Sequence, residues 1–375
     1  DSLLGSIAAP GVHPTRRIVF DQAQKQFFVA NEAMNRVEVY SSVDHSKLAW
    51  SDVAGASSVD LSGDGGTVWV GTTLEQIVAV DPVALVVKGR SAMQALTPVP
   101  GLGFSRPLEV VGLSGGKAIV RMWQPGGVQT LLALWDAATN TLTDLTPNAP
   151  QVFQRGAGAV ARSGDHLHVI AAANDSSGNV VIFGAGGAVE HGPQTVGGGV
   201  ISFVAANGDG SRYAVVLKSG SGTTLQLLDG SLNPVATYAA TVPSGVVFST
   251  DGKTLFVGEV GGNARVVTAL GATDGHLIGQ VADATVGGGI GELQESDDAA
   301  LLMELANRGV LLLDATKRGT LPAVVPTFAV TQAVQPAEGP AAGGTGVALS
   351  GQNFESGAQV RFGSSNAIAP TSSGS

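Results

Sequence analysis

One short turn-and-strand element recurs along this 375-residue chain, and any fold must house every copy. Its clearest form is Ser249-Thr250-Asp251-Gly252-Lys253-Thr254-Leu255-Phe256-Val257. Asp-Gly ahead of alternating hydrophobic residues favours a β-hairpin. Glycine enters positive φ at little steric cost, and a period of two puts alternate side chains on one face. Variants stand at Asp21, Asp64, Gly115, Asp165, Asp209, Asp251 and Asp297, spaced 42 to 51 residues apart. A repeat of that length holds several strands, so the chain reads as an array of one supersecondary unit.

Each unit has the same order of parts. A short apolar strand precedes the turn (Ile18-Val19-Phe20, Val246-Val247-Phe248), and an alternating strand follows it. After a polar loop comes a third strand, as in Val37 to Tyr40, Ile77 to Val80, Leu131 to Trp135, Leu225 to Leu228 and Val310 to Leu313. A weaker fourth strand closes the unit at Leu48 to Trp50 and Pro234 to Tyr238. One such sheet cannot bury either face alone; stacking sheets around an axis buries both and shields the edges. Charged residues at 13%, hydrophobic residues at 44% and 53 glycines fit short buried strands joined by tight turns. The pattern predicts an all-β fold, a seven-bladed β-propeller over residues 15–326, after an N-terminal segment 1–14. No segment carries a sustained helical period. Leu3 to Ile7 is a candidate closing strand for the ring.

Past Pro326 the repeats stop. Residues 327–335 read as a linker, and 336–375 as the start of a second, partial domain with strands at Val347/Leu349 and Val360/Phe362. Two resemblances attach to these patterns. The Ser-x-Asp-Gly-x-x-Leu-Phe-Val element at Ser249–Val257 and the Val-x-Val-Tyr ending at Tyr40 resemble YVTN-type propeller repeats. The run Pro336-x-x-Gly339-Pro340-x-x-Gly343-Gly344-Thr345-x-Val347-x-Leu349-x-Gly351-x-Asn353-Phe354-x-x-Gly357-Ala358-x-Val360-x-Phe362-Gly363 resembles the start of an IPT/TIG immunoglobulin-like domain. Half such a β-sandwich exposes an apolar face, which implies fraying, packing on the propeller, completion by further chain, or self-association.

Composition narrows the functions. A net charge of −10 without a basic stripe argues against nucleic acid. With no cysteine there is no disulfide, thiol catalysis or cysteine-held metal. No apolar run is long enough for a membrane-spanning helix. A chain opening on Asp1 is expected to be a processed form.

Most motif-like residues have a plainer architectural reading. His166 and His168, two apart on an expected strand, would face one side and could begin a metal site. Yet His168 stands where other units have Trp69, Phe256 or Phe28, so it reads as a packing residue and no metal is assigned. Gly252-Lys253-Thr254 lacks the earlier glycine of a phosphate loop, since Val247 stands there. Asn207-Gly208-Asp209-Gly210 lacks the distant Glu of a calcium loop. The acidic run Glu292, Glu295, Asp297, Asp298 and Glu304 reads as a solvated face. No nucleophile elbow occurs, and no cofactor is implied.

The candidate binding surface comes from architecture. Loops joining second to third strands should share a face with the connections between sheets, around the channel mouth. They supply Glu32, Arg36, Trp123, Asp175, Lys218, Arg265 and Arg308, with Trp123 the best anchor for a protein or glycan. The pairing of a propeller with an IPT/TIG domain implies an exported bacterial protein, secreted or on the cell surface, that binds or displays. The rival readings are a lactonase- or lyase-like propeller enzyme with polar side chains converging at the channel, and a structural subunit of a surface assembly.

Overall fold

The computed structural model describes residues 3–8, 17–93, 106–123, 130–241, 243–261, 264–283, 289–295, 301–306, 309–314, 329–330 and 351–352. The chain divides into two compact units, Asp1–Thr320 and Leu321–Ser375. In the second, the described residues form one strand pair, Ala329–Val330 with Gly351–Gln352. The strands expected at Val347/Leu349 and Val360/Phe362 lie outside the described residues.

The first unit begins with β1 (Leu3–Ala8). Sheet 1 holds β2 to β5 (Ile18–Asp21, Gln26–Asn31, Arg36–Ser41, Lys47–Asp52), and sheet 2 holds β6 to β9 (Ala56–Leu61, Val68–Thr72, Gln76–Val80, Val87–Ala92). Sheet 3 holds β10 to β13 (Arg106–Leu113, Lys117–Trp123, Thr130–Asp136, Thr141–Asp144), and sheet 4 holds β14 to β17 (Ala157–Arg162, His168–Ala173, Asn179–Gly184, Val189–Thr195). Sheet 5 holds β18 to β21 (Val200–Ala206, Arg212–Ser219, Gly222–Asp229, Pro234–Ala240), and sheet 6 holds β22 to β25 (Pro243–Phe248, Thr254–Gly261, Ala264–Gly271, Leu277–Asp283). Sheet 7 joins β26 to β28 (Gly289–Glu295, Leu301–Ala306, Gly309–Asp314) to β1. All pairings within these sheets are antiparallel between neighbours. Among the described residues there is no α-helix; a 3-10 turn spans Thr146–Asn148.

The first strands contact one another in cyclic order from β2 to β26, and β26 contacts β2, so the sheets close into a propeller. Closure uses the N-terminus. β1 pairs with β28, with Ser6 opposite Leu311, so the first residues of the chain supply the outer strand of the last sheet. The candidate strand at Leu3 to Ile7 takes this role.

Burial follows from the ring. Consecutive residues Phe27 and Phe28 are both fully buried, as are Val169 and Ile170, although strand neighbours point to opposite faces. Both faces of these sheets are therefore covered. Phe28, Val37 and Val39 of sheet 1 pack on Val59, Val68 and Val70 of sheet 2. Trp69 of sheet 2 meets Trp135 of sheet 3 edge-on, centroids 4.9 Å apart. Each fully buried side chain of this size contributes roughly 1.5–3 kcal/mol. The first strands approach closely: a Cβ on Gly112 would lie 1.9 Å from the Leu61 carbonyl oxygen, so no larger residue fits.

Four copies of the recurrent hairpin share a hydrogen-bond pattern. The Ser249 hydroxyl donates to Asp251 at 2.6 Å and accepts the Thr254 amide at 2.9 Å, while Asp251 accepts the Lys253 amide at 3.0 Å. Ser62/Asp64 and Ser163/Asp165 repeat the arrangement. Asn207/Asp209 reproduces the amide contacts, with the Asn207 side-chain oxygen accepting the Arg212 amide. The Asp64 carboxyl is held below its usual range by the Ser62 hydroxyl and then the Gly66 amide. The turn at Asp297 lies outside the described residues.

Deleting residues 1–8 should open the ring by exposing the β28 edge. The expected loss is on the order of a few kcal/mol, read as a lower thermal midpoint with an unchanged β-type circular dichroism spectrum at low temperature. An unchanged midpoint would contradict closure by β1.

Candidate functional site

The first strands surround a channel of about 560 Å³. Its wall is mostly small or apolar: Gly158 and Ala159 from β14, Ser202 and Phe203 from β18, Gly245 and Val247 from β22. The loop arrangement around its mouth matches the sequence expectation. The Thr73 amide donates to the Gly55 carbonyl, and the Met93 amide to the Glu75 carbonyl, so turns between second and third strands share one end with the connections between sheets. Asn35 fixes this end twice, accepting the Val53 amide on its carbonyl and the Gly55 amide on its side-chain oxygen at 2.8 Å.

Among the described residues, the charged groups that reach the channel wall are paired. Toward the mouth, Glu109 on β10 accepts from Arg121 on β11 at 3.2 Å. Toward the hairpin turns, Arg162 of β14 makes a two-point contact with Asp60 of β6, at 2.8 and 2.9 Å. Asp60 is fully buried and also accepts the Gly112 amide at 2.9 Å. One carboxylate thus links the first strands of sheets 2, 3 and 4. Sequence reasoning passed over Asp60, Glu109 and Arg162. The available signal was a charge inside a short apolar strand, as in Ser58-Val59-Asp60-Leu61.

The sequence-selected loop residues do not converge on one described cluster. Glu32 accepts from fully buried Arg17 at 3.1 Å. Arg36 turns onto the face of sheet 1 and binds Glu38. Trp123 lies beside Arg106, whose guanidinium carbon is 5.9 Å from the ring centroid. Asp175 accepts the Ser177 amide at 2.8 Å within its own turn, and Lys218 is exposed opposite Val200. The Arg265 side chain and all of Arg308 lie outside the described residues.

The histidine pair is arranged differently from the expected strand face. His166 sits in the turn at φ 62°, not in the strand, and its Nδ1 lies 2.8 Å from the Gly112 carbonyl oxygen. His168 opens β15, with Nδ1 2.6 Å from Glu190 on β17. The turn separates the two rings because its left-handed residue breaks the strand's alternation. Among the described residues, no group of three or more His, Asp or Glu is placed to hold a metal.

The densest polar cluster is on sheet 1. Buried Glu38 accepts from Arg36 Nε at 2.8 Å, Tyr40 Oη at 2.9 Å, Asn31 at 3.1 Å and Lys47 Nζ. Burial pushes its carboxyl up, but these donors, Lys47 first, outweigh burial and hold it at about 2. Burial, then Glu38 itself, push the Tyr40 hydroxyl up.

Residues 329–375 match the model of the IPT/TIG domain family. An IPT/TIG domain lies in the C-terminal unit. Comparison with curated proteins gives no match. Among solved structures, the chain resembles Kuenenia stuttgartiensis hydrazine synthase, with TM-score 0.59 and 14% identity over 83% of this chain and 97% of that one. It resembles a chain of a mitotic checkpoint complex, with TM-score 0.64 and 15% identity over 84% and 91%. It also resembles KlHsv2 with loop 6CD replaced by a Gly-Ser linker, with TM-score 0.54 and 12% identity over 80% and 89%. At these identities the likeness is one of fold, a propeller-like arrangement of sheets.

Two substitutions test these clusters. Asp60→Asn leaves Arg162 without its buried counter-charge and should cost about 3–5 kcal/mol, measured by denaturant unfolding; a change within error would show that the contact is not part of the inner wall. Because the Glu38 carboxyl is depressed in the folded chain, its contribution is complete above its ordinary value of 4.5 and is lost as pH falls toward about 2. Glu38→Gln should therefore flatten the acid limb of the stability curve over that window.

Proposed function

We propose that this chain is the binding and display portion of an exported bacterial protein. It is a seven-bladed propeller of YVTN type over 15–326 followed by an IPT/TIG domain, whose family match begins at residue 329 rather than after a linker 327–335. Its work is done by the loops at the channel mouth, which engage a protein or glycan. One observation carries this reading: the charged side chains described on the channel wall, Glu109, Arg121 and Arg162, are all in ion pairs, Glu109 with Arg121 and Arg162 with buried Asp60 behind the wall. A reacting centre needs several polar groups aimed at one open point, with at least one able to take or give a proton there. Ion pairs that neutralise their own members serve the wall instead. Loops of sheets 1, 2 and 4 have a stiff base, tied to the neighbouring connections by backbone hydrogen bonds. Function held on loops over a rigid scaffold favours recognition. An IPT/TIG domain in the same chain as the propeller fits extracellular placement.

The test is direct binding by the purified chain to a glycan array and to a panel of recombinant surface proteins, beside hydrolysis assays on lactones. Trp123→Ala should weaken the strongest partner by about 2 kcal/mol, some thirtyfold. Lys218→Glu should change its salt dependence. Turnover of a lactone, or binding that ignores both variants, would sink the proposal. Surface labelling of intact cells that produce the full protein checks its placement.

A further inference from the structure

The cluster around Glu38 has one feature that stability does not require. Two cations, Arg36 and Lys47, share a single buried carboxylate, and both also lie over an exposed indole. The Arg36 guanidinium carbon is 5.2 Å from the Trp50 ring centroid, and Lys47 Nζ is 5.6 Å from it. Trp50 is 53% exposed on the outer strand of sheet 1. Lys47 reaches this face through a bulge. The ladder steps from Val39 opposite Ala49 to Tyr40 opposite Lys47, which leaves Leu48 unpaired. A bulge of this kind re-aims a side chain.

We propose that Trp50, Arg36 and Lys47 form a subsite for an acidic sugar, a hexuronic acid unit within a glycan. The indole offers a flat apolar surface that suits the C–H face of a pyranose ring. Asp52 stands across the ladder from Arg36, at the end of the cluster away from Lys47, so Lys47, partly exposed beside the ring, is the cation that meets the sugar carboxylate. Glu38 is consumed by four donors and holds both cations in place; it is a positioning residue. An extended peptide fits less well. Strand addition needs a regular ladder edge, and the bulge at Leu48 interrupts it, as does Lys47 on the edge itself. The subsite lies on the outer two strands of sheet 1, with Arg36 the one member that adjoins a loop at the channel mouth, and does not depend on which partner those loops take.

The experiment uses the whole chain and follows tryptophan emission and calorimetric heat with trigalacturonate as probe. Trigalactose is the neutral counterpart, and a short oligo-glutamate is the acidic peptide. The expected result is millimolar or tighter binding of trigalacturonate, weakened by salt, with no binding of trigalactose. Trp50→Ala and Lys47→Gln should each lower affinity roughly tenfold or more. Both sites are at least partly exposed, and unchanged unfolding midpoints would confirm that the variants are folded. Lys253→Gln, which removes an exposed lysine from a hairpin turn, should bind as the parent does. Absence of trigalacturonate binding, equal binding of trigalactose or of oligo-glutamate, or affinity unchanged in Trp50→Ala would overturn the proposal. Should either variant unfold, Trp50→Phe replaces it: it keeps a smaller ring and should retain partial affinity, and full affinity would overturn the stacking role.

Discussion

The structure depends on covering both faces of every sheet at once. A four-stranded antiparallel sheet of Val, Ile, Phe and Ala has two apolar faces and two open edges, and one neighbour can satisfy only one face. Cyclic contact of the first strands, from β2 around to β26 and back, meets that constraint. The cost falls on the axis, where backbones crowd. Gly112 opposite Leu61 is the residue type such an approach demands. Closure adds a second dependence: sheet 7 has no outer strand of its own and takes β1 from the other end of the chain. The first and last repeats are therefore thermodynamically coupled despite their separation in sequence.

Within that frame, charge is placed by pairing. Asp60 joins three first strands, and Glu109 with Arg121 holds one wall near the mouth. In a buried setting an ion pair gives little net stability against an apolar equivalent, but removing one partner is costly. The Asp60–Arg162 pair therefore fixes the relative position of neighbouring sheets more than it strengthens the fold, while Glu109–Arg121 ties two strands of one sheet. The Glu38 cluster is built differently. Its carboxylate is buried, its cations are partly exposed, and an aromatic ring lies open beside them. The inner pairs face the channel wall of the scaffold, whereas this one meets solvent at the outer edge of a sheet.

The sequence by itself determined the repeating unit. Ser-x-Asp-Gly hairpins, alternating second strands and weaker fourth strands are local patterns, set by hydrogen bonds within six residues and by a two-residue period; Ser62, Ser163 and Ser249 make the same contacts in three sheets. The IPT/TIG pattern was equally legible, because it is a dense run of glycine, turn and strand residues. Only the tertiary structure decided which charges meet. Asp60 and Arg162 stand in different sheets, Lys47 reaches Glu38 only through a bulge, and His166 leaves its expected strand for a left-handed turn position. Such contacts depend on register and on the approach of distant strands, and one-dimensional periodicity carries no information about either.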